Sequence, residues 1–142
     1  MKTVLVIDTS VFVSALIGET GVSREVLRCC LNGRYLPLMA TPLFYEYESL
    51  LYRESVFKKC PLSTSQREDL FNAFMAVCRW IHIYYLWRPN LKDEDDNHVL
   101  ELAVAGNAKA IVTKNTKDFK NGQLFFPNIH ILKPEQLLGE DN

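Results

Sequence analysis

The sequence predicts an α/β fold: a three-layer sandwich with helices on both faces of a central, mostly parallel five-stranded sheet. Three observations predict it. Short apolar runs recur along the chain, as strands covered on both faces require. Stretches with helical apolar spacing separate them, with turn and capping residues at the joins. The length of 142 residues, with 48% hydrophobic and 23% charged residues, suits one globular domain that buries roughly two thirds of its unfolded surface. No linker, internal repeat or low-complexity tract interrupts the chain, so a single domain over 1–142 is expected.

Thr3 to Ile7 is the first strand, and a helix is expected from about Val11. Ser23 can cap a second helix through Leu31, stopped by Asn32 and Gly33. Tyr35 to Met39 reads as the second strand. Thr41 with Pro42 resembles an N-cap followed by proline at the first helical position, opening a helix to about Arg53. Ser63 with Gln66, or Ser65 with Glu68, offers a capping box for a long helix whose stripe includes Leu70, Phe74, Val77, Cys78 and Ile81. The apolar residues Phe71, Phe74 and Met75 exceed what one buried face needs, which is compatible with a partner surface. A third strand is expected within Trp80 to Leu86, and Trp87 to Lys92 is a loop. Asp95 or Asp96 opens a helix ending at Gly106. Ala110 to Thr113 and Asn128 to Leu132 supply the last two strands, and Pro134 begins a short final helix.

Several function classes are excluded. No apolar run approaches the roughly 20 residues that span a bilayer, and no secretory cleavage site follows Lys2, so no membrane role and a place in the cytoplasm are expected. Cys29, Cys30, Cys60 and Cys78 lack CxxC spacing and a suitably spaced histidine, which reads as reduced, mostly buried thiols and not a zinc site. The histidines His82, His98 and His130 stand isolated and read as surface or strand residues. With 16 basic and 17 acidic residues, the net charge of −1 gives no overall attraction to nucleic acid. Binding to RNA must then rest on local basic patches and bound cations. A dinucleotide-binding domain would carry a glycine-rich turn after the first strand, and none is present. A haloacid dehalogenase phosphatase needs a second acid two residues after the first aspartate, where this chain has Ser10.

The carboxylates carry the most information, because ligands of open α/β sheets bind beyond the carboxyl ends of the strands. Asp8 follows the apolar run Val4-Leu5-Val6-Ile7 directly; a turn or helix N-cap aspartate is the other reading of that position. Glu46 shares a helical stripe with Leu43, Tyr47 and Leu50, and a glutamate on an apolar face must be paired, protonated or metal-bound. The run Asp93-Glu94-Asp95-Asp96 precedes a helix, where the dipole favours acids. Asp96 alone of these lies on the stripe of Val99, Leu100 and Ala103, and Asp93 and Asp95 are the alternatives to it. Asp118 follows the fourth strand by five residues, in what reads as a loop. Four carboxylates in one crevice call for divalent cations, and an all-oxygen donor set favours Mg²⁺ or Mn²⁺.

The segments VIDTSVFVSALIG, TPLFYEYESLL, DEDDNHVLELAVAGNAKAIVTKNTKDF and IHILKPEQLL, taken in order, resemble the PIN-domain family almost end to end, in particular the toxin components of toxin–antitoxin modules. The resemblance implies metal ligation by Asp8, Glu46, Asp96 and Asp118, with Thr9, Ser10, Thr113 and Asn115 as supporting polar residues. Many members carry an acid where this chain has Asn115, which leaves open how many ions are bound. The implied chemistry is two-metal hydrolysis of an RNA phosphodiester by water, leaving a 5′-phosphate and a 3′-hydroxyl. Lys114, Lys117 and Lys120 flank Asp118, and Arg88 and Lys92 precede the acidic run, so these side chains can meet phosphates. Trp87 and Tyr85 can stack on unpaired bases or belong to the core. A homodimer and an antitoxin that blocks the crevice are further implications of the resemblance. The alternative is a PIN-like module that binds RNA or protein with weak or absent cleavage.

Overall fold

In the computed structural model, which describes residues 2–18, 21–83, 97–120 and 128–140, the chain folds around strand β1 (Thr3–Ile7). Leu5 and Val6 point to opposite faces and are both fully buried, as a central strand of a covered sheet demands. Parallel to β1 lie β2 (Tyr35–Met39) on one side and β4 (Ala110–Val112) on the other, with β3 (Arg79–Trp80) and β5 (His130–Leu132) outside them. The described strands thus form one five-stranded, all-parallel sheet in the order β3-β2-β1-β4-β5. Pro37 faces Leu5 in the β1–β2 register, while β3 pairs only with Leu38 and Met39. Proline has no N–H to donate, so β2 offers an outer neighbour a ladder only beyond position 37, and β3 is correspondingly short.

The helices are α1 (Thr9–Ile17), α2 (Gly21–Leu31), α3 (Thr41–Leu51), α4 (Thr64–Val77), α5 (Asn97–Ala105), α6 (Thr116–Lys120) and α7 (Pro134–Glu140). Helix α5 packs on β1, β2 and β4, while α2 and α4 pack on β2 and on each other. The α2 stop is a Schellman turn: Arg34 N–H donates to Cys29 O and Gly33 N–H to Cys30 O, with Gly33 at φ +88°. The capping box expected at Ser63 is present, with Ser63 Oγ accepting from Gln66 N–H and Gln66 Oε1 accepting from Ser63 N–H. Ser63→Ala should therefore lower the unfolding free energy by about 1 kcal/mol, read as a lower urea midpoint at unchanged slope.

Several local expectations are corrected. Helix α1 starts at Thr9, two residues before Val11. Ser23 lies inside α2 and is buried, so it caps nothing. The N-cap of α3 is Ala40, without a side-chain bond, and Thr41 is the first helical residue. Asp118 belongs to the short helix α6, not to a loop. Phe71 and Phe74, considered as a partner surface, are core residues: Phe74 stacks on Phe12 at 5.7 Å and tilts against Tyr47 at 5.8 Å. The thiols of Cys29 and Cys30 are buried and those of Cys60 and Cys78 half-buried, and burial pushes Cys78 up to about 12. No helix among the described residues is long and apolar enough to cross a membrane.

Candidate functional site

Asp8 stands where β1 hands over to α1, and the sheet fixes it there. Its N–H donates to Val112 O at 2.9 Å, carrying the β1–β4 ladder one residue beyond the strand. Its own carbonyl accepts from Val11 N–H, so it is the N-cap of α1 by backbone conformation. The carboxylate makes no capping bond. Instead Oδ2 accepts from Ser10 Oγ and from Thr113 Oγ1, each at 2.8 Å. An aspartate present only to cap would aim at the helix amides; this one is held by two hydroxyls at the end of the sheet.

Thr113 and Ser10 are tied to the next turn of chain. Asn115 N–H donates to Thr113 Oγ1 at 3.0 Å and Lys114 N–H to Ser10 Oγ at 3.1 Å, so the segment after β4 is fastened to the start of α1. Lys114 Nζ donates to Ser14 Oγ at 3.2 Å. Glu46, one turn into α3, is half-buried and accepts on both oxygens: Thr9 Oγ1 donates to Oε1 at 2.8 Å, and His98 Nε2 lies 2.7 Å from Oε2. Its neighbour Tyr47 is fully buried and donates to Ile7 O at 2.6 Å, which pins α3 against the end of β1 beside Asp8.

These groups surround a cavity of about 560 Å³ lined by Asp8, Thr9, Ser10, Glu46, Lys114, Asn115 and Asp118, with Val13, Ile17, Leu50 and Val56 as its apolar wall. Burial is the largest influence on Asp8 and raises its pKa; the hydroxyls of Ser10 and Thr113 and the Thr9 amide oppose this, and the charge of Glu46 adds to it. Burial also acts to raise Glu46, but the hydrogen bonds from His98 and Thr9, with the charge of His98, outweigh it and leave the pKa lowered. The cavity therefore holds one carboxylate whose ionisation the fold resists and one whose ionisation it supports. A bound cation relieves such a resisted charge, and every acidic donor is a hard oxygen, so the residues fit Mg²⁺ or Mn²⁺ in kind.

Of the expected site residues, Asp8, Glu46, Asp118, Thr9, Ser10, Thr113 and Asn115 gather at this end of the sheet, with Lys114 at the rim. Asp118 is exposed where it lines the cavity, and among the described residues no three acidic, histidine or cysteine side chains come close enough to hold one ion together. Lys117 is exposed on α6 and is not part of the cavity lining. Asp93, Asp95, Asp96, Arg88, Lys92, Trp87 and Tyr85 lie outside the described residues, as does the side chain of Lys120. His98 is the residue sequence reasoning missed. Read as isolated, it is half-buried on α5 and bonded to Glu46, and the available signal was its position one turn before the buried Glu101 and Leu102.

The comparisons bear on the family and the fold. A family model described as the PIN domain matches residues 4–117. An uncharacterized protein of Methanocaldococcus jannaschii is 30% identical over 147 residues, covering 94% of this chain and 87% of that protein. Among solved structures, a chain of VapBC2 from Rickettsia felis, bound to a DNA fragment from their promoter, matches with a TM-score of 0.58 over 92% of this chain and 98% of that chain; at 15% identity the likeness is one of fold. The family model, which spans most of the chain, establishes that it belongs to the PIN-domain family, whose members are generally nucleases.

Proposed function

We propose that this protein is a Mg²⁺- or Mn²⁺-dependent endoribonuclease, a single PIN-like nuclease domain over 1–142 that acts as the toxin of a toxin–antitoxin pair. The observation that carries the reading is the convergence of Asp8 and Glu46, 38 positions apart in the chain, on one cavity where hydroxyls fix both carboxylates and burial resists the charge of the first. Asp8 and Glu46 would hold the metal, joined by Asp96, or by Asp93 or Asp95 in its place, and by Asp118. When bound, divalent ions supply Lewis acidity, lowering the pKa of water and offsetting charge on the phosphate.

The chain's own groups do the rest. Ser10 and Thr113 fix the Asp8 carboxylate, and Thr9 with His98 fixes that of Glu46. The Lys114 ammonium sits at the cavity rim as a counter-charge for an RNA phosphate, and Lys117 and Arg88 are, by sequence, the further candidates for phosphate contacts. Asn115 offers an amide donor to a phosphate oxygen without adding charge. Water attacks phosphorus in line, the P–O3′ bond breaks, and the products carry a 5′-phosphate and a 3′-hydroxyl. The toxin role, a cognate antitoxin, a homodimer and a cytoplasmic site of action follow from the family resemblance, supported by the fold shared with VapBC2.

Single-stranded RNA incubated with Mn²⁺ or Mg²⁺ is expected to be cut by the wild type, and EDTA, Asp8→Asn or Asp96→Asn should each reduce the rate by at least roughly a hundredfold. Cleavage that continues in EDTA would defeat the metal mechanism. RNA binding without cleavage in all variants would favour the non-catalytic module, a reading to which Asn115 lends support.

A further inference from the structure

His98 has no part in the implied ligand set, yet its Nε2 lies 2.7 Å from Glu46 Oε2, across 52 positions of sequence. At that distance one hydrogen is shared between the two atoms, and beside a carboxylate oxygen, which accepts, it belongs to Nε2. Nδ1 is buried and has no hydrogen-bond partner among the described residues, so the bond to Glu46 is the hydrogen bond there that orients the ring. Thr9 donates to the other oxygen of the same carboxylate at 2.8 Å. A donor on each oxygen fixes the plane of the carboxylate; with one donor lost, it is free to turn about its Cγ–Cδ bond.

We propose that His98 is a positioning residue: together with Thr9 it clamps the Glu46 carboxylate in one plane, leaving one acceptor site on each oxygen for a divalent cation in the cavity. The proposal rests on the nuclease reading above and adds to it the residue that sets the geometry of a ligand. The side chains come from three separate elements, with Thr9 opening α1, Glu46 in α3 and His98 in α5, so the clamp also ties the approach of α3 and α5 to the shape of the site. Partners that hold a metal-binding group from behind commonly change metal affinity tenfold to a hundredfold when removed.

The test uses the full chain as wild type, His98→Leu, which fills the space without a donor, and His98→Gln, whose amide reaches a position close to that of Nε2. Mn²⁺ is the probe, titrated by calorimetry without RNA. His98→Leu should weaken Mn²⁺ binding by about tenfold or more, and His98→Gln should recover most of the loss. In cleavage assays the Mn²⁺ concentration at half-maximal rate should move by the same factor, with KM for RNA unchanged. In the metal-free wild type, ¹⁵N spectra should place the ring hydrogen on Nε2, shielded from exchange, and Glu46→Ala should abolish the shielding. Equal Mn²⁺ affinity in wild type and His98→Leu, or a ring without a hydrogen on Nε2, overturns the positioning role while the nuclease reading stands. A wild type that binds no Mn²⁺ and cuts no RNA overturns the nuclease reading, and the cation-holding role with it.

Discussion

Metal-free Asp8→Asn is expected to melt a few degrees above the wild type at neutral pH, although with metal supplied the same variant cuts RNA at least roughly a hundredfold more slowly. The carboxylate of Asp8 is almost fully buried, and burial raises its pKa despite the hydroxyls of Ser10 and Thr113. The asparagine carbonyl can still accept from both hydroxyls. The substitution thus removes a resisted charge and keeps the two hydroxyl bonds, a gain of about 1 kcal/mol. The pH dependence has a definite sign. Between the ordinary carboxyl value of 3.8 and the raised folded value, the folded chain keeps a proton that the unfolded chain has lost, so stability falls as pH rises through that window. Asp8→Asn lacks this component. Glu46 acts in the opposite sense: its folded value lies below 4.5, so its contribution is present above that value and is lost as pH falls through the folded one. Differential scanning calorimetry at several pH values, with and without Mg²⁺, checks both halves. Mg²⁺ should raise the melting temperature of the wild type and leave Asp8→Asn unchanged. A variant less stable than the wild type at neutral pH would mean that the fold favours the charge.

Phe74→Ala should cost about 3–5 kcal/mol, a large share of the roughly 5–15 kcal/mol that holds an ordinary domain together. Phe74 is completely buried on α4 and meets both Phe12 of α1 and Tyr47 of α3. Phe12 in turn lies edge-on to Tyr47 at 5.1 Å. The hole left by the ring would sit between three helices that cannot all close on it, and it would loosen Tyr47, whose hydroxyl fixes the end of β1 next to Asp8. Urea unfolding provides the measurement, with Tyr45→Ala as the contrast: Tyr45 is 61% exposed, and its loss should stay within about 0.5 kcal/mol. A Phe74→Ala cost below about 1 kcal/mol would mean that the ring serves a surface and not the core.

The fold was largely legible because its strands announce themselves. The apolar runs at Thr3–Ile7 and Tyr35–Met39 have the boundaries expected of them, since strands covered on both faces admit little else. Where chemistry at an element end was ambiguous, reading it failed. Ser23 looks like a cap, but α2 begins two residues before it, at Gly21, and places it on the buried face. Thr41 also looks like a cap, but the extended backbone needed at that position falls one residue earlier, at Ala40. In the site, Asp8 and Glu46 were legible because an acid after a strand and an acid on an apolar stripe each violate a local pattern. His98 violates none: a histidine in a helix is unremarkable until tertiary packing sets Glu46 beside it. The paired hydroxyls on Asp8 Oδ2 were equally hidden as a geometry, because Thr113 reaches Asp8 from 105 positions away.

That last separation bears on how the molecule comes into being. The earliest of the described strands in chain order becomes the middle of the sheet, and it must wait for β4 before its second neighbour exists. Asp8 receives Thr113 and its backbone anchor at Val112 only once those residues have emerged from the ribosome. Contacts this far apart in sequence form late and slowly. A chain stalled before residue 112 therefore has an unfinished pocket, and whatever chemistry the finished one performs must wait until β4 has been made.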